Sequence, residues 1–364
     1  MKRLLSLFLL LGISQLPEAG GTEFRADHPA DTSGNVFIIT IDGLRWQELF
    51  DGAEGSIIND EKFTSDTAMA NMMYWADDAT ARRKKLMPFM WNVVAKKGQL
   101  YGNREFDNNV NVANIYAVSY PGYNEMFTGT TDITIANNNK VYNPNTNVFE
   151  FLESKEPYKG RIGIFTSWDV LSFALNEKRS GIEMNCGYEN IGHADSTCMA
   201  AFNKVQDDMD VKPGTRQDML TYIAAKEYLQ KKKPKILYLG LGETDEYAHA
   251  KDYATYLQKA NEADHIIAEL WHWAQSTPGY KNNTTFVITT DHGRGQHNKW
   301  TSHGPFIKGS SQAWLVLLGK HIEPRGEVKT PGQLYQKQIA QTIAGLFGEQ
   351  FGKQRSILPT LALR

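Results

Sequence analysis

The sequence predicts an α/β layered sandwich with a mainly parallel central sheet flanked by helices, on three observations. Apolar, β-branched runs of strand length recur at Asn35 to Ile41 (NVFIITI), Arg161 to Thr166 (RIGIFT), Lys235 to Leu241 (KILYLGL) and Phe286 to Thr290 (FVITT). Being apolar throughout, they read as strands covered on both faces, as in a parallel sheet. Amphipathic stretches at Gln217 to Lys232 and Asp252 to Gln275 fall between them, and such alternation of strand and helix builds a layered fold. Finally, an acid follows three of the runs, Asp42, Asp245 and Asp291, at the end of the sheet where α/β proteins present their functional groups.

Taken in order, the chain opens with a basic start (Lys2, Arg3) and an apolar run from Leu4 to Ile13. The run is too short to span a bilayer, so residues 1–22 read as a signal peptide and the protein as exported, periplasmic or secreted, with no stable membrane span. Residues 23–364 read as one catalytic domain. Gly52 to Pro88 is polar and irregular, and Arg82 to Lys85 reads as a solvated basic face. Met87 to Lys96 is helical, Leu100 to Phe106 a short strand. Pro121 and Gly122 mark a turn, with Tyr123 to Thr128 suited to a helix and Ser119 just before its N-terminus. Phe149 to Glu153 resumes a helical pattern. Gly181 to Asp210 has little periodicity and reads as a loop insertion over the active face. It holds His193, read as structural, and both cysteines, Cys186 and Cys198, for which an oxidising compartment favours a disulfide. Gln312 to Leu318 is one more strand and Leu334 to Phe347 a last helix.

With 41% hydrophobic and 22% charged residues over 364 positions the chain is an ordinary globular protein, and a net charge of -2 gives no electrostatic ground for a nucleic-acid partner. The residues at and after the strand ends are Asp42, Ser119, Asp245 with His249, Asp291 with His292, and His303. Carboxylate, hydroxyl and imidazole donors in that number suffice for two divalent metal ions with open positions, and the mixed nitrogen and oxygen set suits zinc. The spacing Asp245-x-x-x-His249 puts both side chains on one helical face.

Four motifs in order, IDGLR with Asp42, SYPGYNEMFTG with Ser119, ETDEYAH with Asp245 and His249, and TTDHG with Asp291 and His292 followed by His303 in TSHG, resemble the alkaline phosphatase superfamily. The likeness spans Asn35 to about Leu318 and leans toward the type I phosphodiesterase and nucleotide pyrophosphatase branch. It implies an alkaline phosphatase-like catalytic fold and a metal-dependent hydrolase acting on a small-molecule phosphate ester. It also implies a covalent phospho-serine on Ser119, one metal on Asp245, His249 and His303, and the other on Asp42, Ser119, Asp291 and His292. The phosphodiesterase branch carries an Asn three residues after the nucleophile, where this chain has Gly122; Asn124, or Arg294, is then the expected donor to the charged oxygens. No cation occurs at Ser167 to Asp169, where some monoesterases of the superfamily carry Lys and Arg, and the Cys-x-Pro-x-Arg signature of sulfatases is absent. Diester hydrolysis is the leading expectation, with a phosphomonoesterase next. A sulfatase-like hydrolase and a non-catalytic ligand-binding relative stand further off.

Overall fold

The structure, a computed structural model, describes residues 34–192 and 197–352. The signal-peptide segment, His193 and the side chain of Cys198 lie outside the described residues.

The strands are β1 (Asn35–Ile41), β2 (Gly98–Tyr101), β3 (Asn108–Asn111), β4 (Ile162–Thr166), β5 (Glu183–Cys186) and β6 (Ile236–Leu241), then β7 (Thr284–Thr289), β8 (Gln312–Ala313), β9 (Leu315–Gly319), β10 (Gly326–Glu327) and β11 (Gly332–Tyr335). Among the described residues they form an eight-stranded sheet in the order β10-β2-β9-β7-β1-β6-β4-β5 and a three-stranded sheet β11-β3-β8. In the large sheet β7, β1, β6, β4 and β5 run parallel, while β9 runs antiparallel to both its neighbours. The mainly parallel layered sandwich is as the sequence predicts.

The reason lies in the apolar runs. Every residue of β1, β6 and β7 is buried, and alternate side chains enter two separate cores. Phe37, Ile39 and Ile41 pack on one face with Leu237, Leu239, Phe286 and Ile288. Val36 and Ile38 pack on the other with Ile236, Tyr238 and Val287. The long helix Tyr253–Ser276, capped by the Asp252 carboxylate on the Thr255 N–H at 3.0 Å, covers the first face. The helices Ser119–Thr128 and Ile339–Leu346 cover the second.

Several expectations give way. Gly52 to Pro88 is not irregular: it holds the helices Gly55–Ile58, Thr67–Tyr74 and Ala79–Leu86, the last two capped by Asp66 and Asp78. Nor is the basic run merely solvated, since the Arg82 guanidinium lies 4.6 Å from the Trp75 ring and that of Arg83 3.5 Å from Trp91. The strand expected to Phe106 stops at Tyr101, because Gly102 (φ 115) turns the chain and Asn103 caps a 3₁₀ turn. Gln312 to Leu318 is broken at Trp314, so that β8 joins the small sheet and β9 the large one. Leu334 opens not a helix but the end of β11; the helix begins at Ile339. Within Gly181 to Asp210, β5 is an edge strand of the main sheet and Thr197–Asp207 a helix, so the segment is not all loop. Cys186, at the end of β5, is a free, buried thiol and not half of a disulfide, and burial pushes it up to about 12.

Candidate metal centre and nucleophile

The register of the parallel strands assembles the site. Ile41 lies opposite Leu241, and Thr40 opposite both Gly240 and Thr289, so Asp42, Asp245 and Asp291 leave the sheet at the same end from adjacent strands. Asp218 fixes the helix Glu243–His249 to β6 by accepting from the N–H groups of Gly242 at 2.8 Å and Glu243 at 3.2 Å. Thr244 also hydrogen-bonds the Asp42 carbonyl. One turn of that helix then carries Asp245 and His249 on one face, their side chains 3.0 Å apart.

His292 is the hub. Its Nε2 lies 3.4 Å from Asp291 Oδ2, 3.6 Å from Asp42 Oδ1, 3.9 Å from Asp245 Oδ1 and 3.1 Å from Ser119 Oγ. On the far side His303 Nε2 is 3.1 Å from His249 Nε2, and the His292 and His303 rings stack with centroids 3.9 Å apart. The Nδ1 atoms face carbonyl oxygens, Gly293 at 2.9 Å for His292 and Ala117 at 3.2 Å for His303. A carbonyl only accepts, so Nδ1 carries the hydrogen and Nε2 turns its lone pair into the cluster.

The electrostatics are those of a cation site. Asp42 Oδ1 and Asp291 Oδ2 are buried with no hydrogen-bond partner, and both face the same imidazole lone pair. Three acceptors converging on one point are costly unless a cation stands among them. Burial, with Asp291 and Asp245 close by, pushes the Asp42 carboxyl well above the usual range. Burial and Asp245 push Asp291 up to about 6. Burial also works against ionised Asp245, yet the Arg294 guanidinium, with His249, holds that carboxyl well below the usual range. Burial lowers His292 to about 4 and His303 to about 3, so both rings are neutral at pH 7, the form that binds metal.

Each imidazole offers the site one lone pair. His292, nearer to Asp291 and Asp42, completes one group with them. Asp245, His292 and His303 form a second group whose donor atoms lie close enough to share an ion, and His249 Nε2 stands at its edge, 3.0 Å from Asp245 Oδ2 and 3.1 Å from His303 Nε2. His249 is the exposed edge of the cluster, with its side chain 51% accessible.

Ser119 is buried and is the first residue of its helix, not the residue before it; Val118 is the N-cap and makes no side-chain cap. Its hydroxyl is therefore free of a capping role and meets His292. Glu125, fully buried one and a half turns on, accepts from the N–H groups of Ala113 at 2.8 Å, Asn114 at 2.8 Å and Lys337 at 3.2 Å, and from the Asn114 amide at 2.9 Å. It ties the approach to Ser119 to the helix that carries it. Glu125→Ala is expected to cost about 3–5 kcal/mol by leaving those donors unpaired, read as a drop in the denaturation midpoint.

Two expected donors are placed elsewhere. The Asn124 amide gives a hydrogen bond to the Thr130 carbonyl at 3.2 Å and accepts from Asn143 at 3.0 Å and Asn145 at 3.2 Å, so these bonds brace the Asn-rich loop. Arg294 is 1% exposed, with its guanidinium bonded to Asp245 and to the Trp300 and Thr301 carbonyls, so its donors are committed to a site carboxylate and the neighbouring loop. Gly122 has a steric reason: a Cβ there would lie 2.6 Å from the Asp291 carbonyl oxygen. The sequence reading missed Asn138. Its Oδ1 accepts from the Tyr120 N–H at 2.9 Å, one residue past Ser119, and the run of three asparagines at 137–139 is the only signal that could have pointed to it.

Comparison with known proteins agrees. The family model for the Metalloenzyme superfamily matches residues 171–308, the stretch that holds Asp245, His249, Asp291, His292 and His303. No curated protein matches the chain. Among solved structures, the lipoteichoic acid synthase LtaP from Listeria monocytogenes is similar at 13% identity, over 91% of this chain and 76% of that one, with a TM-score of 0.56. The alkaline phosphatase PafA gives 11% identity over 87% and 96%, TM-score 0.56. The phosphonate monoester hydrolase of Agrobacterium radiobacter gives 11% over 86% and 74%, TM-score 0.54. At these identities the likeness to each structure is one of fold. The likeness is therefore to the fold of these phosphatase and synthase structures and, over residues 171–308, to the Metalloenzyme superfamily, in line with the motifs, and it singles out no branch.

Proposed function

We propose that this chain, alkaline phosphatase-like in fold and matched as a metalloenzyme over residues 171–308, is an exported hydrolase of small phosphate esters working through a covalent phospho-serine on Ser119. The observation that carries the proposal is the Ser119 hydroxyl 3.1 Å from His292 Nε2, inside a cluster of three carboxylates and three imidazoles. Asp245, His249 and His303 would hold one divalent ion, and Asp42, Asp291, His292 and the Ser119 hydroxyl the other. Zinc suits the nitrogen-rich set. Once bound, the ions would supply charge stabilisation at the phosphoryl group and a lowered pKa for an attacking oxygen.

The chain's own groups do the rest. Ser119 stands in the first turn of a helix, where the N-terminal dipole favours a negative oxygen. Its Oγ attacks phosphorus, the ester P–O bond breaks as the Oγ–P bond forms, and water later cleaves that bond. Asn138 takes the place expected of Asn124 as the donor to the phosphoryl oxygens, since its Oδ1, accepting from the Tyr120 N–H, stations its amide beside the first turn of the helix that carries Ser119. Asn138→Ala is expected to lower kcat/KM about tenfold to a hundredfold while leaving bound metal unchanged.

Diesters are the favoured substrates. A monoester dianion needs an added cation. The nearest one in the Asn-rich loop, Lys140, is paired with Asp169 at 2.6 Å, and Ser167 to Asp169 supply none. Assay of metal-loaded protein on bis-4-nitrophenyl phosphate and 4-nitrophenyl phosphate, with mass-spectrometric trapping of phosphate on Ser119, tests the proposal. Faster turnover of the monoester makes the chain a phosphomonoesterase, and no turnover of either by protein carrying its metals makes it a ligand-binding relative.

A further inference from the structure

Asp245 is held on two sides at once. Its Oδ2 faces His249 Nε2 at 3.0 Å, and that imidazole faces His303 Nε2 at 3.1 Å. Its Oδ1 is taken by Arg294 Nη1, while the Nε2 atoms of His292 and His303 stay 3.9 Å away from it. The guanidinium that holds Oδ1 cannot move off. Its Nε donates to the Trp300 carbonyl at 2.8 Å and its Nη2 to the Thr301 carbonyl at 2.6 Å, and its side chain is fully buried. A planar fork pinned at three corners fixes direction as well as charge. Space for the pair is made by Gly43, at φ 61, where a Cβ would strike Asp245 Oδ1 and lie 3.0 Å from Arg294 Nη1.

We propose that Arg294 decides which metal ion the Asp245, His249 and His303 group accepts, by holding Asp245 Oδ1 and so making Asp245 a one-oxygen ligand. This rests on the metal-dependent reading of the site given above. With Oδ2 alone available, the protein would supply three donors, one oxygen and two nitrogens, the donor count and mix of catalytic zinc sites. Were Oδ1 released, the carboxylate could bind through both oxygens, raising the coordination number toward that favoured by larger, oxygen-seeking ions such as manganese. The same brace ends at Thr301, two residues before His303, so it also sets the distance between the two halves of the group.

Full-length mature protein is loaded with cobalt(II) as an optical probe, and separately with zinc and manganese in competition, for wild type, Arg294→Met and Arg294→Lys. The wild type is expected to show the intense visible bands of a four-coordinate ion. In Arg294→Met these bands weaken severalfold, and the zinc-over-manganese preference falls at least tenfold at one of the two sites with the other unchanged. Arg294→Lys, whose ammonium reaches Oδ1, restores most of both. The proposal is overturned if Arg294→Met keeps the wild-type spectrum and preference, or if it loses affinity equally at both sites together with its thermal midpoint, the mark of a purely structural brace. Should Arg294→Met not fold, Arg294→Gln is read by the same criteria. A wild type that takes up no ion overturns the metal reading itself, whereas one that binds two ions and hydrolyses no phosphate ester overturns only the activity.

Discussion

Ser119→Ala is expected to lower kcat/KM on a phosphodiester by on the order of 10³-fold or more, about 4 kcal/mol of transition-state stabilisation, with metal content and thermal midpoint close to wild type. The second half of that expectation follows from the cap geometry. Val118 is the N-cap and Ser119 Oγ satisfies no backbone N–H, so removing the oxygen leaves the helix as it was. The alanine removes one hydrogen bond, to a histidine lone pair that neighbouring carboxylates already surround. Turnover within tenfold of wild type, with both ions present, excludes the phospho-serine route, because a water attacking directly needs no side chain at position 119.

Metal removal gives the other large effect, and its pH dependence carries the diagnostic sign. Stripping with a chelator is expected to abolish activity, and zinc to restore it. Asp42 and Asp291 are the groups that hold protons in the stripped site, since burial and neighbouring acids raise both, Asp291 to about 6. The His292 and His303 imidazoles do not, being lowered by burial to about 4 and about 3. A raised acid must surrender its proton to bind a cation, so affinity rises with pH up to about 6 and beyond, roughly tenfold per unit for each carboxyl released. In ordinary metal sites histidine sets that limb. Here two His→Gln variants, at His292 and His303, are expected to lower affinity without moving the limb, whereas Asp291→Asn moves it. For the stripped protein, the raised acids contribute stability that is present at low pH and lost as pH rises through their folded values. The lowered histidines contribute the opposite, stability lost as pH falls below the ordinary histidine range. Between about pH 4 and 6 the two act in opposite senses. The Asp42 carboxyl, raised by burial between two other acids, gives up its contribution as pH rises through its own folded value, so the stripped protein is expected to melt lower on the alkaline side of that window than within it. The zinc-loaded protein should show a smaller change across the same interval.

What the sequence could and could not say follows from where information is local. A buried parallel strand writes itself as an unbroken apolar run, so β1, β4, β6 and β7 were legible, and the acids just beyond them are fixed by chain continuity. The helices between Gly55 and Leu86 were not, because they are short, polar on most faces, and stabilised by Asp66 and Asp78 caps and by arginines stacked on Trp75 and Trp91. Trp314 hid a strand break inside an apolar run, since hydropathy does not record which sheet a residue pairs with. Asn124 and Asn138 differ in nothing that composition reveals; only the fold shows one amide consumed by the loop and the other standing at the helix end. Arg294, expected as a donor to the charged oxygens, is tied by burial and three acceptors to Asp245 and its own loop, which no sequence pattern records.

The broken strand at Trp314 has its own mechanical consequence. Because β8 and β9 are consecutive lengths of one chain shared between the two sheets, neither sheet can peel away without dragging on the other. The Trp314 indole N–H, bonded to the Leu44 carbonyl at 2.8 Å two residues past Asp42, carries any such pull straight to the ligand-bearing end of β1. Loosening the small sheet would therefore spread the ligands before the rest of the molecule opened.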